Sequence, residues 1–325
     1  MIVEKFDHSN EKVWDRFINE SKNSTFLFNR SYMDYHSDRF RDYSTMILDE
    51  KSNLIACFPA NQKNDKEIIS HEGLTYGGII VKHDLKLSVF IDVYREILKY
   101  YSKQGFETLT VKAFPRIYNR IPADEFEYCA FLSEAILTRR DAAIVVDLQN
   151  RIKYSGNYRR EAKKAKKNGF IIYESDNLSH FWQEVLKPNL RKRFDVEPVH
   201  TMDEIILLKT RYPDKIRLFV AESPQGTIVS GTVLFVTSNV VHCQYIGSDN
   251  EGRNSGALNY LFIDLLDNHF QDKRYFDFGI VNENQGRDIN FGMLAWKERM
   301  GGRTISHDFY EIRTGTYENF DKFIK

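Results

Sequence analysis

Residues 216–222 (IRLFVAE), 227–237 (TIVSGTVLFVT) and 240–246 (VVHCQYI) decide the fold of this chain. Each is rich in β-branched and aromatic residues, and short polar turns separate them, so they predict three antiparallel strands. An amphipathic helix is predicted next, followed by a strand at 275–281 (YFDFGIV). Because the helix crosses over, this last strand must return as a parallel neighbour of the third.

The first half of the chain repeats this order of elements. Strands are predicted at 43–50, 54–60, 73–81 and 108–114, with an amphipathic helix before the last of them. We interpret the repeat as a structural duplication without detectable residue identity. The sequence therefore predicts an α+β (α/β) fold with domains at 1–145 and 146–325, each a mixed, mostly antiparallel sheet flanked by helices.

Composition excludes several classes of protein. Lys plus Arg and Asp plus Glu both total 46 in 325 residues, so no whole-molecule charge favours long nucleic acids. No apolar run approaches the length of a membrane helix, and the N-terminus does not resemble a signal peptide, so we expect a cytoplasmic protein. The cysteines Cys57, Cys129 and Cys243 lack CxxC spacing, so neither disulfides nor a metal site are predicted.

Residues 151–167 (RIKYSGNYRREAKKAKK) form the most basic segment, with eight basic residues and one acid. A helix is predicted from Tyr158, ending at Gly169. Such a charge run usually faces water, and this is one reading of it. The other is a contact with the phosphates of a nucleotide-linked acceptor, a carrier or an RNA.

The loop at 251–257 (EGRNSGA) connects the third strand of the second half to its helix. Backbone N–H groups at a helix start attract anions, and Gly256 permits close approach, so a diphosphate site is predicted there. Its candidate residues are Arg253, Asn254, Ser255, Gly256 and Ala257. An ordinary helix cap is the alternative. Because the matching loop at 82–88 has no glycine, we expect the carrier in the second half.

Several motifs resemble the FemAB-like (nonribosomal peptidyltransferase) branch of the GNAT acyltransferase superfamily. Arg253 and Gly256 match the superfamily's pyrophosphate motif, whereas Leu258 departs from its final small residue. The branch is indicated by 26–40 (FLFNRSYMDYHSDRF), 70–78 (SHEGLTYGG), 157–160 (NYRR), 276–279 (FDFG), 292–302 (GMLAWKERMGG) and Tyr310. The resemblance covers nearly the whole chain.

The resemblance implies tandem GNAT domains, with the acceptor on the N-terminal side and acyl-CoA, as a cosubstrate rather than a tightly bound cofactor, on the C-terminal side. Because no sustained heptad pattern appears, it favours the members that N-acylate a nucleotide-linked (dTDP-type) amino sugar for surface polysaccharides such as O-antigen of lipopolysaccharide. An aminoacyl-tRNA-dependent transferase acting on a peptidoglycan precursor is the alternative. A non-catalytic two-domain binding protein is the third possibility.

Four residues of the second half are candidates for catalysis. Asp277 lies in an otherwise apolar strand, where a carboxylate needs a partner. His242 on the neighbouring strand alternates with Gln244 and suits general base work. Glu283 follows the strand end, and Lys297 follows an apolar run; in the resembled family the matching lysine lies near the donor. Structural pairing, a core histidine, a loop acid and a surface lysine are the respective alternatives.

The acceptor is expected to contact polar and aromatic residues of the first half. His71 and Tyr76 lie in the glycine-rich segment 70–78, which could equally be a β-bulge with a core tyrosine. Weaker candidates are Tyr35, His36 and Arg39 on a predicted helix, and Asn282 beside Glu283 in the second half.

Overall fold

The computed structural model describes residues 1–323, apart from the side chain of Phe194. Its contacts divide the chain into unit 1, residues 1–141 with the segment that begins at Ser306, and unit 2, residues 142–305. The segment from Ser306, which we had placed in the second domain, belongs to unit 1 because its strand pairs there.

Unit 1 contains two groups of paired strands and a long helix. Its elements are β1 (Ile2–Lys5), α1 (Glu11–Glu20), α2 (Arg30–Met33), β2 (Arg41–Asp42), β3 (Thr45–Leu48), β4 (Leu54–Phe58), β5 (Asn61–Asn64), β6 (Glu67–Ile69), β7 (Ile80–Val81), α3 (Leu87–Lys103), β8 (Thr108–Lys112) and α4 (Glu125–Leu132). Strands β1, β3, β4 and β7 pair antiparallel in that order. The second group runs β2, β5, β6, β8.

The repeat predicted in the first half is incomplete in one respect. Strand β8 pairs in parallel with β6 and not with β7, which instead pairs with β4. The β5–β6 hairpin between them was missed because β5 is short and wholly polar (NQKN), so it carries no alternating apolar signal.

Helix α3 anchors the core of unit 1 through one apolar face. Its buried residues are Phe90, Val93, Tyr94, Ile97, Leu98 and Tyr101, at the spacing expected for one helix stripe. Burial of each such side chain contributes roughly 1.5–3 kcal/mol. Ile312 and Phe320, from the C-terminal segment, complete the same cluster and are fully buried.

Unit 2 contains the predicted meander, crossover helix and parallel strand. Its elements, with the two strands that it shares with unit 1, are β9 (Ile136–Asp147), α5 (Gly156–Lys167), β10 (Ile171–Glu174), α6 (Leu178–His180), α7 (Lys187–Phe194), α8 (Met202–Arg211), β11 (Ile216–Glu222), β12 (Ile228–Val236), β13 (Val240–Ser248), α9 (Asn250–Asn254), α10 (Ala257–Asn268), β14 (Tyr275–Ile280), β15 (Asn282–Glu283), β16 (Asp288–Ile289), α11 (Phe291–Arg299) and β17 (Arg303–Arg313). A π-helix, Phe181–Leu186, joins α6 to α7.

The strands of unit 2 follow the order β10, β11, β12, β13, β14, β9. All pairs are antiparallel except β13 with β14, which are parallel as predicted. Each unit thus combines mostly antiparallel strands with flanking helices, in two groups of strands in unit 1, and the predicted mixed α/β fold class is confirmed. Strands β9 and β17 each cross the boundary between the units.

The basic segment forms helix α5, as predicted. Ala162 and Ala165 are its buried residues, which leaves the lysines on its outer faces. The helix is followed by Gly169, whose positive φ of 88° is the left-handed conformation expected after a helix end.

Neither a membrane segment nor a metal cluster is found in residues 1–323. No helix there has the length and apolar character needed to cross a bilayer. No group of three or more His, Cys, Asp or Glu side chains in this range is placed to hold a metal ion.

Candidate active site

The candidate site lies where the parallel strands β13 and β14 separate. Their pairing begins at Val240 with Tyr275 and ends at His242 with Asp277. Beyond this pair β13 continues beside β12, while β14 is kinked by Gly279 at φ 76° and rejoins β9 only at Ile280. The two strands therefore open a gap immediately after the histidine and the aspartate.

His242 and Asp277 form a hydrogen-bonded pair at this point. The distance from His242 Nδ1 to Asp277 Oδ2 is 2.9 Å, and Asp277 Oδ1 accepts a 2.7 Å hydrogen bond from the Gly279 amide. The carboxylate is fully buried, whereas the imidazole is 14% exposed. With Nδ1 directed at the carboxylate, the hydrogen-bond network assigns Nε2 as the proton acceptor. A buried acid thus orients a base that solvent can reach.

Lys297 of helix α11 lies beside the pair. Its ammonium donates to Gly279 O at 3.0 Å and to Ile280 O at 2.7 Å, and it interacts electrostatically with Asp277. The side chain is only 3% exposed. Burial lowers the pKa of Lys297 to about 8, against the opposing effect of Asp277. The structure therefore brings together three of the four predicted catalytic candidates.

A β-bulge changes which side chains share a face of β13. Val233 and Leu234 of β12 pair with Tyr245 and Cys243, so Gln244 is the extra residue. Cys243 packs in the core under α10, while Tyr245 packs against Trp182 on the opposite face. The inserted residue interrupts the alternation on which the prediction that His242 shares a face with Gln244 depends, so that placement of Gln244 stays a prediction.

Glu283 and Asn282 make hydrogen bonds with residues other than His242 and Asp277. Glu283 is exposed, and its carboxylate accepts a 3.4 Å hydrogen bond from Asn290. Asn282 is buried, and its Oδ1 accepts from the backbone N–H of Ala142 at 2.7 Å. Asn282 thus supports strand β9, and a role for either residue towards substrate stays a prediction.

The predicted diphosphate loop forms α9 and the start of α10. Asp249 caps α9 by accepting from the Gly252 amide at 2.7 Å, and Ser255 Oγ accepts from Ala257 N at 3.3 Å. Side chains of the protein thus engage two of the amides that the prediction left for a ligand. Arg253 donates to Ser248 O and to Asn250 Oδ1, which holds its guanidinium at the end of β13.

Gly256 shows why a glycine is needed in this loop. Its φ is 82°, and a Cβ there would lie 2.9 Å from Cβ of Glu161 on helix α5. Glu161 accepts a 2.6 Å hydrogen bond from Asn259 in the first turn of α10. The glycine therefore allows α5 to pack closely against the start of α10.

Four of the acceptor candidates cluster in unit 1. His36 stacks on His71 with ring centroids 5.0 Å apart and on Tyr35 at 4.2 Å, and the guanidinium of Arg39 lies 5.5 Å from the Tyr35 ring. Both histidines are buried. Burial lowers the pKa of His71 well below its usual value, helped by His36 and the nearby Lys112. His71 is therefore neutral at physiological pH.

Tyr76 is separated from this cluster by its packing. Its ring lies among Phe28, Phe114 and Tyr118, and its hydroxyl donates to Thr25 at 3.2 Å. The residue is 3% exposed, which agrees with the core position that we kept as an alternative. Direct contact with an acceptor stays a prediction.

The comparisons with known proteins concern first of all unit 2. Residues 153–298 match the protein family described as "Acetyltransferase (GNAT) domain". This stretch contains the whole meander, the loop before α10, and the cluster of His242, Asp277 and Lys297. Residues 153–298 therefore resemble a GNAT domain.

Solved structures extend the similarity of fold to the whole chain. A crystal structure of FemX has a TM-score of 0.67 at 10% identity, with all of both chains covered. L-PGS from Bacillus licheniformis has a TM-score of 0.60 at 13% identity, covering 100% of this chain and 99% of the other. The predicted resemblance is thus confirmed for the GNAT superfamily over residues 153–298 and, for FemX, in the fold of the whole chain. A search of the curated proteins finds no match to this sequence.

The sequence analysis missed one half-buried lysine outside residues 153–298. Lys112 ends strand β8 of unit 1 and donates to the carbonyls of Glu72 and Leu74. Burial lowers its pKa to about 8. The signal was present, since Lys112 closes a strand of alternating apolar residues (TLTVK), but strands often end at an exposed lysine.

Proposed function

We propose that this chain transfers an acyl group from acyl-CoA to the amine of a nucleotide-linked amino sugar. The observation that carries the proposal is the His242–Asp277 hydrogen bond of 2.9 Å at the gap between β13 and β14, within the stretch that matches the GNAT family. An acyltransferase of this kind needs a base for the amine and stabilisation of the carbonyl oxygen.

The amine is deprotonated by His242 on this proposal. Nε2 takes a proton from the attacking nitrogen, while the buried carboxylate of Asp277 stabilises the imidazolium that forms. The nitrogen adds to the thioester carbonyl, and the tetrahedral intermediate then expels CoA as the thiolate, which takes up a proton. The proposal includes no acyl-enzyme, because burial raises the pKa of the Cys243 thiol far above its usual value.

Lys297 is assigned to the negative charge that develops on the carbonyl oxygen. An ammonium has three donors, and the carbonyls of Gly279 and Ile280 accept two of them. The third is left for the substrate. Its low solvent exposure strengthens such an interaction, because little water screens it.

Substrate recognition is divided between the units on this proposal. The loop from Arg253 to Ala257 takes the diphosphate of CoA, which must displace or share the hydrogen bond that the Ala257 amide now makes with Ser255. Tyr35 and Arg39 of unit 1 are assigned to the acceptor, since a guanidinium over a ring suits a phosphate beside a base.

Thiol release from acyl-CoA in the presence of dTDP-linked amino sugars tests the proposal. We expect release only when the amino sugar is present, together with a mass increase of the sugar equal to the acyl group. Asp277→Asn is the matched control, since it keeps the size of the side chain and removes its charge. No release with any amino sugar, or equal release by the Asp277→Asn variant, would contradict the proposal.

A second candidate function is transfer from aminoacyl-tRNA. It is favoured by the exposed basic residues of α5, and FemX and L-PGS share the fold of the chain. RNA binding that weakens steeply with salt, combined with no binding of CoA, would support this candidate. Binding of CoA without RNA would exclude it.

A further inference from the structure

A groove of about 400 Å³ runs along the outer side of unit 2 between helices α5 and α10. One wall consists of Arg159, Lys163 and Lys166, which occupy one face of α5 at helical spacing. The other wall is formed by α10 and includes Tyr260. Nothing in the mechanism above uses this groove.

Helices α5 and α10, which form the two walls, run antiparallel, and their contacts differ from one end of the groove to the other. Tyr154, before α5, contacts Asp267 near the end of α10, whereas Glu161 contacts Asn259 near its start. Asp267 also accepts from Arg151 at 2.9 Å, so its charge is compensated. Lys163 and Lys166 have no ion pair or hydrogen bond with any residue in 1–323. The opposite wall includes the carboxylate of Asp264, which contacts Asn268 and His269. The lysine wall therefore carries positive charge without an ion-pair partner among the described residues.

The groove begins one helical turn from the predicted diphosphate loop. Tyr260, which lines it, donates its amide to Gly256 O at 2.9 Å. Four residues of helix correspond to roughly 6 Å along the axis. A donor whose diphosphate lies at Arg253 to Ala257 therefore carries its nucleoside end within reach of Tyr260 and the two lysines.

We infer that this groove binds the nucleoside end of CoA, with Lys163 and Lys166 on the 3′-phosphate of its ribose and the Tyr260 ring against the adenine. The inference rests on the proposed function, because it assumes a CoA donor. A dianionic phosphate matches two ammonium groups that lack an ion-pair partner among the described residues, and a purine has a face that stacks on a tyrosine ring. The groove then determines whether the donor must carry the 3′-phosphate.

Titration calorimetry with CoA and with dephospho-CoA, which lacks the 3′-phosphate, tests the inference. The wild type is expected to bind CoA about tenfold more tightly, as charge-assisted contacts predict. The double variant Lys163→Gln/Lys166→Gln should bind both ligands equally and leave the Kd of dephospho-CoA unchanged. The matched control is Lys164→Gln/Lys167→Gln, which removes the same charge from residues that do not line the groove. It should keep the tenfold difference.

The possible outcomes separate this inference from the proposed function. If the wild type binds both ligands equally, or if the two double variants weaken CoA to the same extent, the groove assignment is wrong and the CoA donor stands. If neither ligand binds, the donor assignment fails and the inference fails with it. If an unacylated tRNA binds and only the Lys163→Gln/Lys166→Gln variant loses it while retaining CoA affinity, the groove belongs to RNA.

Discussion

Each unit has a buried or half-buried histidine and lysine, but the surroundings of these residues differ between the units. In unit 2, His242 contacts the carboxylate of Asp277, and Lys297 lies beside the same carboxylate. In unit 1, His71 stacks on a second histidine near Lys112, and its Nδ1 has no hydrogen-bond partner within residues 1–323. Both units thus hold the same residue types, but among the described residues the carboxylate hydrogen-bonded to the histidine ring is that of Asp277 in unit 2.

This difference teaches what makes a buried histidine a base. A carboxylate stabilises the imidazolium, so the ring can accept a proton during the reaction. Neighbouring cations and burial stabilise the neutral ring instead, as the lowered pKa of His71 shows. We therefore expect unit 2 to carry the chemistry and unit 1 to contribute binding, and the following experiments test that division.

Replacement of the two histidines should give the largest contrast. His242→Gln is expected to lower kcat/KM by about a hundredfold to ten-thousandfold, the usual contribution of a general base. His71→Gln should change kcat by less than threefold or so, because His71 takes no part in proton transfer. Steady-state kinetics with both variants, after their melting temperatures have been compared, measures this. Similar losses of kcat in the two variants would contradict the assignment of the chemistry to unit 2.

Replacement of Lys297, but not of Lys112, should change the dependence of kcat on pH. Lys297→Met is expected to lower kcat by about tenfold to a hundredfold, since a charged donor to the oxyanion is lost. In the wild type, kcat should fall as pH rises through about 8, where Lys297 loses its proton. Lys297→Arg should remove this alkaline decline. Lys112→Met, although its pKa is also about 8, should leave the profile of kcat unchanged; a changed profile would place Lys112 in the chemistry.

Replacement of Arg253 should affect the donor alone. Arg253→Ala is expected to raise the KM for acyl-CoA about tenfold, the value of one charge-assisted contact, with the acceptor KM unchanged. Lys82→Ala, in the corresponding loop of unit 1, is the control and should change neither. A larger effect of Arg253→Ala on the acceptor would show that the donor had been assigned to the wrong unit.

The smallest expected effect is on the free energy of unfolding, and it should be the same for Lys297 in unit 2 and Lys112 in unit 1. Lys297 and Lys112 release their protons at a pH of about 8 in the folded chain but near 10.5 when unfolded. Unfolding between these values takes up protons, so the free energy of unfolding rises with pH there. Each lysine should add about 1 kcal/mol between pH 8 and pH 9. In urea unfolding, the rise between pH 8 and pH 9 should be smaller by about 1 kcal/mol in each Lys→Met variant than in the wild type. The buried thiols, whose pKa values are raised, oppose the rise equally in all three proteins, so an undiminished rise in a variant would contradict the assignment.

Much of unit 2 could be predicted because its signals are local. Strand β11 was predicted at the residues where it occurs, and β12, β13, α10 and β14 differ by a few residues at their ends. Alternating or continuous apolar residues and turn residues are sufficient for such elements. The β5–β6 hairpin was missed, and with it the true neighbour of β8, because polar edge strands depend on pairing rather than on their own pattern.

The candidate site was predictable in its residue types but not in its geometry. His242 and Asp277 could be named individually, since each is polar within an apolar strand. Their contact depends on the register of two strands separated by a helix, which no local pattern specifies. The bulge at Gln244 is likewise a property of the pairing of β12 with β13, and it interrupts the alternation there.

The passage of β9 and β17 across the boundary has a consequence for biosynthesis. Unit 2 is a single continuous stretch, whereas the core of unit 1 needs Ile312 and Phe320. During translation, all residues of unit 2 are therefore synthesised before the segment of unit 1 that begins at Ser306. The N-terminal part of a nascent chain usually folds first. Here the core of unit 1 is complete only after Ile312 and Phe320 have been synthesised, so unit 2 can fold before unit 1.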